Sequence, residues 1–365
     1  MLFSKIAVSL GETMFSTLSL HCRGSVGAAF IVLGLLGRTT PASAQETRFF
    51  RIGAAATAGS FFEIGGVHAS AISKPSDSAA CEEGGSCGVA GLVAVAEATR
   101  GSVENLRMVA SDQIESGIAQ SDVVSWAFAG TGVFADQGPI KQLRAIASLF
   151  PESLHVVVRA DGPIQTLADL KRRRISLGQT GSGTLADARI VLAASGLAEQ
   201  DLSAEYLRSG TAAAGLSDGS VDGFFLIGGV PIPAVRALAA TTSIHLIPIP
   251  DDVLSKMHEK YGPYDRSVIP ADTYPGVGVA TSTVGFHALW IVSADTSDEL
   301  IFAITKALWN EATRRLLDAH DLIGRDVRLE HALDGLPVPL HPGALRFYRQ
   351  AGLPVDNGAL PSKPD

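Results

Sequence analysis

The sequence predicts an α/β protein whose largely parallel sheet is shared between two lobes around a ligand cleft. Three observations predict it. Apolar strand-like runs alternate with helix-like segments along the chain, which implies βαβ units. Four strand-to-helix junctions are turns of small residues, and open α/β sheets bind ligands beyond such strand ends. The chain of 365 residues, once an N-terminal leader is set aside, is longer than one typical domain.

The leader comes first. After Met14, an alternative start to Met1, the chain carries His21 and Arg23, an apolar run over residues 26–36, and then "PASAQE". Ala42-Ser43-Ala44 is an A-x-A cleavage site that leaves Gln45 as the mature N-terminus, so residues 1–44 read as a signal peptide. The run is too short for a permanent anchor. Cys22 precedes it and is badly placed for lipid attachment. An exported protein is expected.

The first junction is "FRIGAAATAGSFFEIGG": a strand to Gly53, a small-residue turn through Ser60, and a helix from Phe61. "SGIAQSDVVSWAFAG" follows, its strand ending at Gln120, with Ser121 or Asp122 able to cap the next helix. In "ISLGQTGSGTLADARIVLAASG" a strand at residues 175–177 meets a glycine-rich turn at 178–183 and a helix at 184–194 closed by Gly196. The fourth, "DGFFLIGGVPIPAVRAL", ends its strand near Ile227, turns at Gly228-Gly229 and uses prolines to admit a helix. These strand ends carry Gly, Ser, Thr, Gln and one Asp, with no positioned Lys or Arg. Backbone amides and hydroxyls of this kind suit a small carboxylate better than a phosphate.

The lobe boundary is read from two apolar strands. "SLHVVVRADGPIQTLADLKRRRISLG" runs from a valine-rich strand through a Gly-Pro turn to a helix over 166–173, with the basic cluster 171–174 as its solvated end. "FHALWIVSAD", residues 286–295, is the second. If both cross between lobes, residues 45–158 and 286–365 make lobe I and residues 159–285 make lobe II. "HPGAL" at His341 starts the last helix, with Pro342 in its first turn. The tail at 356–365 reads as frayed.

A formal charge of −8 without a basic run argues against nucleic acid and acidic membranes. Removing the leader leaves Cys81 and Cys87 in "CEEGGSCG", which in an oxidising compartment reads as a local disulfide. A metal site is the alternative, but two thiols need further ligands and only His68 is near in sequence. No metal spacing occurs among the histidines, no G-x-S-x-G elbow is present, and no nucleophile–base pair stands out. Neither an enzyme, a cofactor nor a metal is expected.

The phosphate loop G-x-x-x-x-G-K-[ST] fails because Thr184 follows Gly183. The dinucleotide fingerprint fits through Gly181, Gly183 and Ala186, with Glu205 at the spacing of a ribose-binding acid, so an NAD-linked enzyme is one alternative function. It is weakened by export, since nicotinamide cofactors are cytoplasmic. Plainer roles stand beside the sharp ones: Gly181 and Gly183 for a tight turn, Gln120 for loop backbone, Asp122 for a helix cap, Phe61 and Phe62 for core or cleft wall.

Several segments, in order, resemble the TAXI family of solute receptors that serve TRAP-type transporters. They are "CEEGGSCGVAGLVAVAEATRGSVENL", "SGIAQSDVVSWAFAGTGVF", "LADLKRRRISLGQTGSGT", "LSDGSVDGFFLIGGVP" and "VPLHPGALRFYRQAGL". The Cys81/Cys87 segment resembles a subgroup carrying the same pair. The resemblance implies a two-lobed, type II-like periplasmic-binding-protein fold that closes on its ligand. It also implies delivery of glutamate, glutamine or a 2-oxoglutarate-like dicarboxylate to membrane subunits in the periplasm, by a monomer. By position, Thr57, Gly59, Ser60, Phe61, Gln120 and Asp122 would bind from lobe I, and Gly181, Ser182, Gly183, Thr184, Gly228 and Gly229 from lobe II. The first turn departs from the family, which usually has threonine, paired tyrosines and a proline where Ala54, Phe61, Phe62 and Glu63 stand. The lost hydroxyls would reject ligands that depended on them, and Glu63 would repel an anion if it faced the cleft. A ligand sensor on the same fold is a further alternative.

Overall fold

The computed structural model describes residues 47–355 apart from Pro263 and Asp321. The leader and the tail over 356–365 therefore lie outside the described residues. Among the described residues twelve strands form one sheet: β1 (Arg48–Gly53), β2 (Ser73–Lys74), β3 (Val89–Ala90), β4 (Leu92–Glu97), β5 (Ser116–Gln120), β6 (Leu143–Arg159), β7 (Arg174–Ser176), β8 (Ser203–Glu205), β9 (Gly223–Gly228), β10 (Ile244–Leu246), β11 (Asp265–Ile269) and β12 (Thr281–Ser293). Its main order is β3-β2-β4-β1-β5-β12-β6-β9-β7-β8.

The α/β class is the one expected, but the sheet is mixed instead of largely parallel. β4, β1 and β5 run parallel to each other, and so do β9, β7 and β8. Between these two sets lie the long β6 and β12, antiparallel to each other and to the strands beside them. Near its start β6 pairs only with β12, over Leu143–Phe150, while Ser153–Val158 pair with β9. Likewise Ala288–Val292 of β12 pair with β5, while Thr281–Gly285 pair with β11. Both strands thus pass from one set to the other.

The helices are α1 (Ser60–Ile72), α2 (Ser102–Ala110), α3 (Ser121–Ala129), α4 (Gly183–Ala194), α5 (Ser209–Asp218), α6 (Pro233–Ala239), α7 (Asp251–Tyr261), α8 (Asp298–Leu308), α9 (Glu311–Ala319), α10 (Leu322–Asp326) and α11 (Pro342–Gln350). One core joins α1 and α8 to β1, β4 and β12 through Phe50, Ile64, Trp290 and Ile304. Another packs α5 and α6 on β9 and β10. A third is continuous from α2 and α3 to α4 and α7, through Leu106, Val123, Leu192 and Met257, so apolar packing holds both sets together.

Two local expectations are corrected. The helix over 166–173 is only a 3-10 turn, Leu167–Leu170, closed at its start by a Thr166/Asp169 capping box. Arg172 then adopts a left-handed φ of 62°, which ends the turn. The basic cluster is not a helix end: Arg174 opens β7 and pairs with Asp222 at 2.6 Å, and Lys171 pairs with Asp201 at 3.3 Å. His341 is the N-cap of α11, with Pro342 in its first turn, as expected. Cys81 and Cys87 are disulfide-bonded. No group of three or more metal-ligating side chains occurs among the described residues. No described helix is long and apolar enough to cross a membrane.

Candidate functional site

The β1–α1 turn places Ser60 at the first position of α1, and the β7–α4 turn places Gly183 at the first position of α4. Both line one small cavity of about 70 Å3. Gly59, Phe61, Gln120, Ser182 and Thr184 line it as well, so seven expected ligand residues come together from both strand sets. The turn can approach so closely because Gly178 and Gly181 hold φ of 94° and 92°, a region costly for residues with a Cβ.

Four helices begin at this cavity. Ser60 of α1, Ser102 of α2, Gly183 of α4 and Ser209 of α5 are each the first residue of their helix, and each lines it. A helix start leaves backbone N–H groups without intrahelical partners and carries roughly half a positive charge. Side chains normally satisfy those groups, but the N-caps of α1, α2 and α5 make no side-chain cap hydrogen bond. Only α4 is capped, by Ser182 Oγ accepting from the Leu185 N–H at 3.1 Å. Ser209 Oγ is buried and has no hydrogen-bond partner among the described residues.

The expectation that no Lys or Arg stands here is corrected, because Arg100 lines the cavity. It belongs to the β4–α2 junction, where Gly101 and Ser102 repeat the glycine–serine pattern of the other turns. Glu104 Oε1 lies 3.5 Å from the Arg100 Nε. Among the described residues no acidic side chain lines the cavity, whose remaining wall includes Ala55, Leu207, Phe225 and Leu226.

The two sides touch around the cavity. Gly229 N–H donates to Ser60 Oγ at 3.2 Å, and Glu104 N–H donates to the Gly181 carbonyl at 3.1 Å. Gln179 Nε2 donates to the Arg100 carbonyl at 2.9 Å. Gln120 Nε2 donates to Asp187 Oδ2 at 3.2 Å, while its Oε1 accepts from Ser102 Oγ at 3.2 Å. Gln120 therefore turns its carbonyl, not its amide N–H groups, towards Ser102 and Gly183.

Five expected residues do not line the cavity: Thr57, which is exposed, and Asp122, Gly181, Gly228 and Gly229. The last three still shape it, through the bonds just described or through close packing; a Cβ on Gly228 would stand 2.7 Å from Ser60 Oγ. Neither Ser121 nor Asp122 caps α3, whose N-cap is Gln120 with no side-chain bond. Ser121 Oγ instead accepts from the His287 N–H at 3.2 Å. Both carboxylate oxygens of Asp122 are buried and, among the described residues, make no hydrogen bond of normal geometry, and burial pushes this carboxyl up to about 6.

The departures in the first turn are placed as well. Phe61 is cavity wall, edge-on to Phe150 with ring centroids 6.3 Å apart. Glu63 is not in the lining, and its Oε1 lies 3.7 Å from His320 Nδ1. Of the dinucleotide residues only Gly183 lines the cavity; Glu205 is exposed at the end of β8.

The chain belongs to the NMT1-like family, whose model matches residues 52–352. Solved structures similar to it include the alkanesulfonate-binding protein SsuA from Xanthomonas axonopodis pv. citri bound to MOPS, at 18% identity and a TM-score of 0.44, covering 85% of this chain and 81% of that one. The substrate-binding protein of an amino acid ABC transporter is 13% identical with a TM-score of 0.42, over 74% of this chain and 98% of that one. An ancestral arginine-binding protein bound to arginine is 15% identical with a TM-score of 0.43, over 74% and 97%.

Proposed function

We propose that this protein is a periplasmic solute receptor of the TAXI type. It binds a small carboxylate by closing two lobes and hands it to the membrane subunits of a TRAP-type transporter. Glutamate, glutamine and 2-oxoglutarate-like dicarboxylates are the ligand class. The lobes are residues 45–158 with 286–365, and residues 159–285; the passage of β6 and β12 between the strand sets supports this division. Residues 1–44 act as the export signal, and the exported protein works as a monomer.

One observation carries the reading. Four helix N-termini, three without a side-chain cap, meet Arg100 at a cavity that, among the described residues, no acidic side chain lines. Backbone amides and a guanidinium are donors only, so an anion satisfies them and a cation does not. The small volume favours a metabolite over a dinucleotide. Gly59, Ser60, Phe61, Gln120, Ser182, Gly183 and Thr184 form the contact set, with Thr57, Asp122, Gly181, Gly228 and Gly229 as support.

Thermal unfolding against a panel of dicarboxylates and amino acids tests this. Ligand at a hundred times its Kd adds about 2.7 kcal/mol to stability, which raises Tm by several degrees. A panel-wide absence of any shift, with no ligand released from the purified protein on denaturation, sinks the proposal.

A further inference from the structure

Gln120 lines the cavity but leans on a group of side chains that do not. Asp187, near the start of α4, is fully buried. Its Oδ2 accepts from Gln120 Nε2 at 3.2 Å and its Oδ1 from the Tyr264 hydroxyl at 3.3 Å. Asp122, from α3 on the opposite strand set, faces Asp187 acceptor to acceptor. Glu152, in the middle of β6, is buried beside Asp122, and among the described residues neither carboxyl makes a hydrogen bond of normal geometry.

The groups acting on this pair are few. Gln120 comes from β5, Glu152 from β6, and Tyr264 from just before β11, while Tyr261 of α7 acts on Tyr264. β9, which also packs on α4, carries no titratable side chain. None of these groups is a cation. Two buried carboxylates that face each other without a cation cannot both stay ionised, because neither water nor a counter-charge offsets the repulsion. Burial first, and then repulsion by Asp122, hold Asp187 and Glu152 well above the usual carboxylate range.

We propose that Asp187 is a positioning residue of the ligand cleft, holding Gln120 across the gap by means of a proton that it shares with Asp122. The shared proton lets the two acids meet as donor and acceptor. It leaves Asp187 Oδ2 free to take the Gln120 amide N–H and so turns the Gln120 carbonyl to Ser102 and Gly183. Closure then takes up a proton, because the two acids ionise separately when the lobes part. The inference rests on the reading of the cavity as a cleft that closes.

The sign follows from linkage. Acids whose values rise on closure favour the closed form at low pH and lose that contribution as pH climbs from the ordinary carboxylate range to the raised values. Titration calorimetry with L-glutamate from about pH 5 to about pH 8, in buffers of different ionisation heat, reads the effect. The wild type takes up close to one proton on binding, and its Kd rises by up to about tenfold per pH unit. Asp187→Asn keeps an oxygen for Gln120 and offers Asp122 an N–H, so it binds with a flat profile and no proton uptake. Asp187→Ala weakens binding at every pH. A flat wild-type profile, or an Asp187→Asn profile parallel to it, overturns the proposal. If L-glutamate binds at no pH, the ligand reading is what fails. Small-angle scattering of the ligand-free protein then decides: compaction on acidification that Asp187→Asn abolishes supports the shared proton, and a radius independent of pH overturns it.

Discussion

Replacing Gly183 by alanine separates cleft closure from fold stability. A Cβ at this position stands 1.8 Å from Gln120 Oε1, 2.6 Å from Gln120 Cδ and 3.1 Å from Ser102 Oγ. A relaxed carbon–oxygen contact needs about 3.4 Å, so the two sides must part by roughly 1.5 Å. Gln120 cannot simply swing away, because its amide is bonded at both ends, to Asp187 and to Ser102. At that separation the bond from Glu104 N–H to the Gly181 carbonyl, 3.1 Å, and that from Gln179 Nε2 to the Arg100 carbonyl, 2.9 Å, are both lost. Two such bonds are worth about 1–3 kcal/mol, or about tenfold to a hundredfold in affinity. The open protein gains instead, since alanine is the better helix residue by up to about 1 kcal/mol. Calorimetry should therefore find weaker binding in a protein whose ligand-free Tm is unchanged or higher. Adding Gln120→Ala to Gly183→Ala should recover part of the closure. Wild-type affinity in the single variant would refute the closed contact as the bound form.

Ser60→Ala removes the acceptor for the Gly229 N–H and leaves that buried donor unpaired; affinity should fall about tenfold, measured by the same titration. Cys87→Ser opens a loop closed over 6 residues of separation and should cost about 2 kcal/mol, seen as a Tm lowered by a few degrees with ligand affinity unchanged. His68 is fully buried and stacked on Trp290 at 5.3 Å, and burial pushes its imidazole down to about 3. Its contribution is complete above the ordinary histidine value near 6.5 and declines as pH falls towards 3, by an amount on the order of 5 kcal/mol. Denaturant unfolding of His68→Phe across that range should show a flatter acid limb than the wild type.

The four junctions were legible because their signals are local: an apolar run, then glycine and serine, then a helical period. The same signal stood at "TRGSVENL" and "RSGTAAAGL", and a reading for helix starts alone would have added Ser102 and Ser209 to the site. Arg100 escaped because an arginine beside a glycine looks like any solvated loop. The direction of β6 and β12 was not legible, since antiparallel pairing across residues 143–159 and 281–293 is decided by topology and leaves no local trace. Nor was the burial of Asp187. In "LADARI" it resembles a polar helix position facing water, and its partner Gln120 lies 67 residues away. The start of the element over 166–173 was visible, Asp169 three residues after Thr166, but the left-handed Arg172 that stops it after one turn was not.

The pairing of β6 with β12 has a mechanical consequence. Two hydrogen-bonded strands form a ribbon, which flexes readily across its flat face and resists shearing in its own plane, because shear would slide the register and break the ladder. The register already shifts between Ala288 and Leu289 and between Trp290 and Ile291, and such irregularities are where a ribbon bends most easily. Under the two-lobe closure proposed above, one strand set would swing against the other along this bend, and the ladder would oppose sliding.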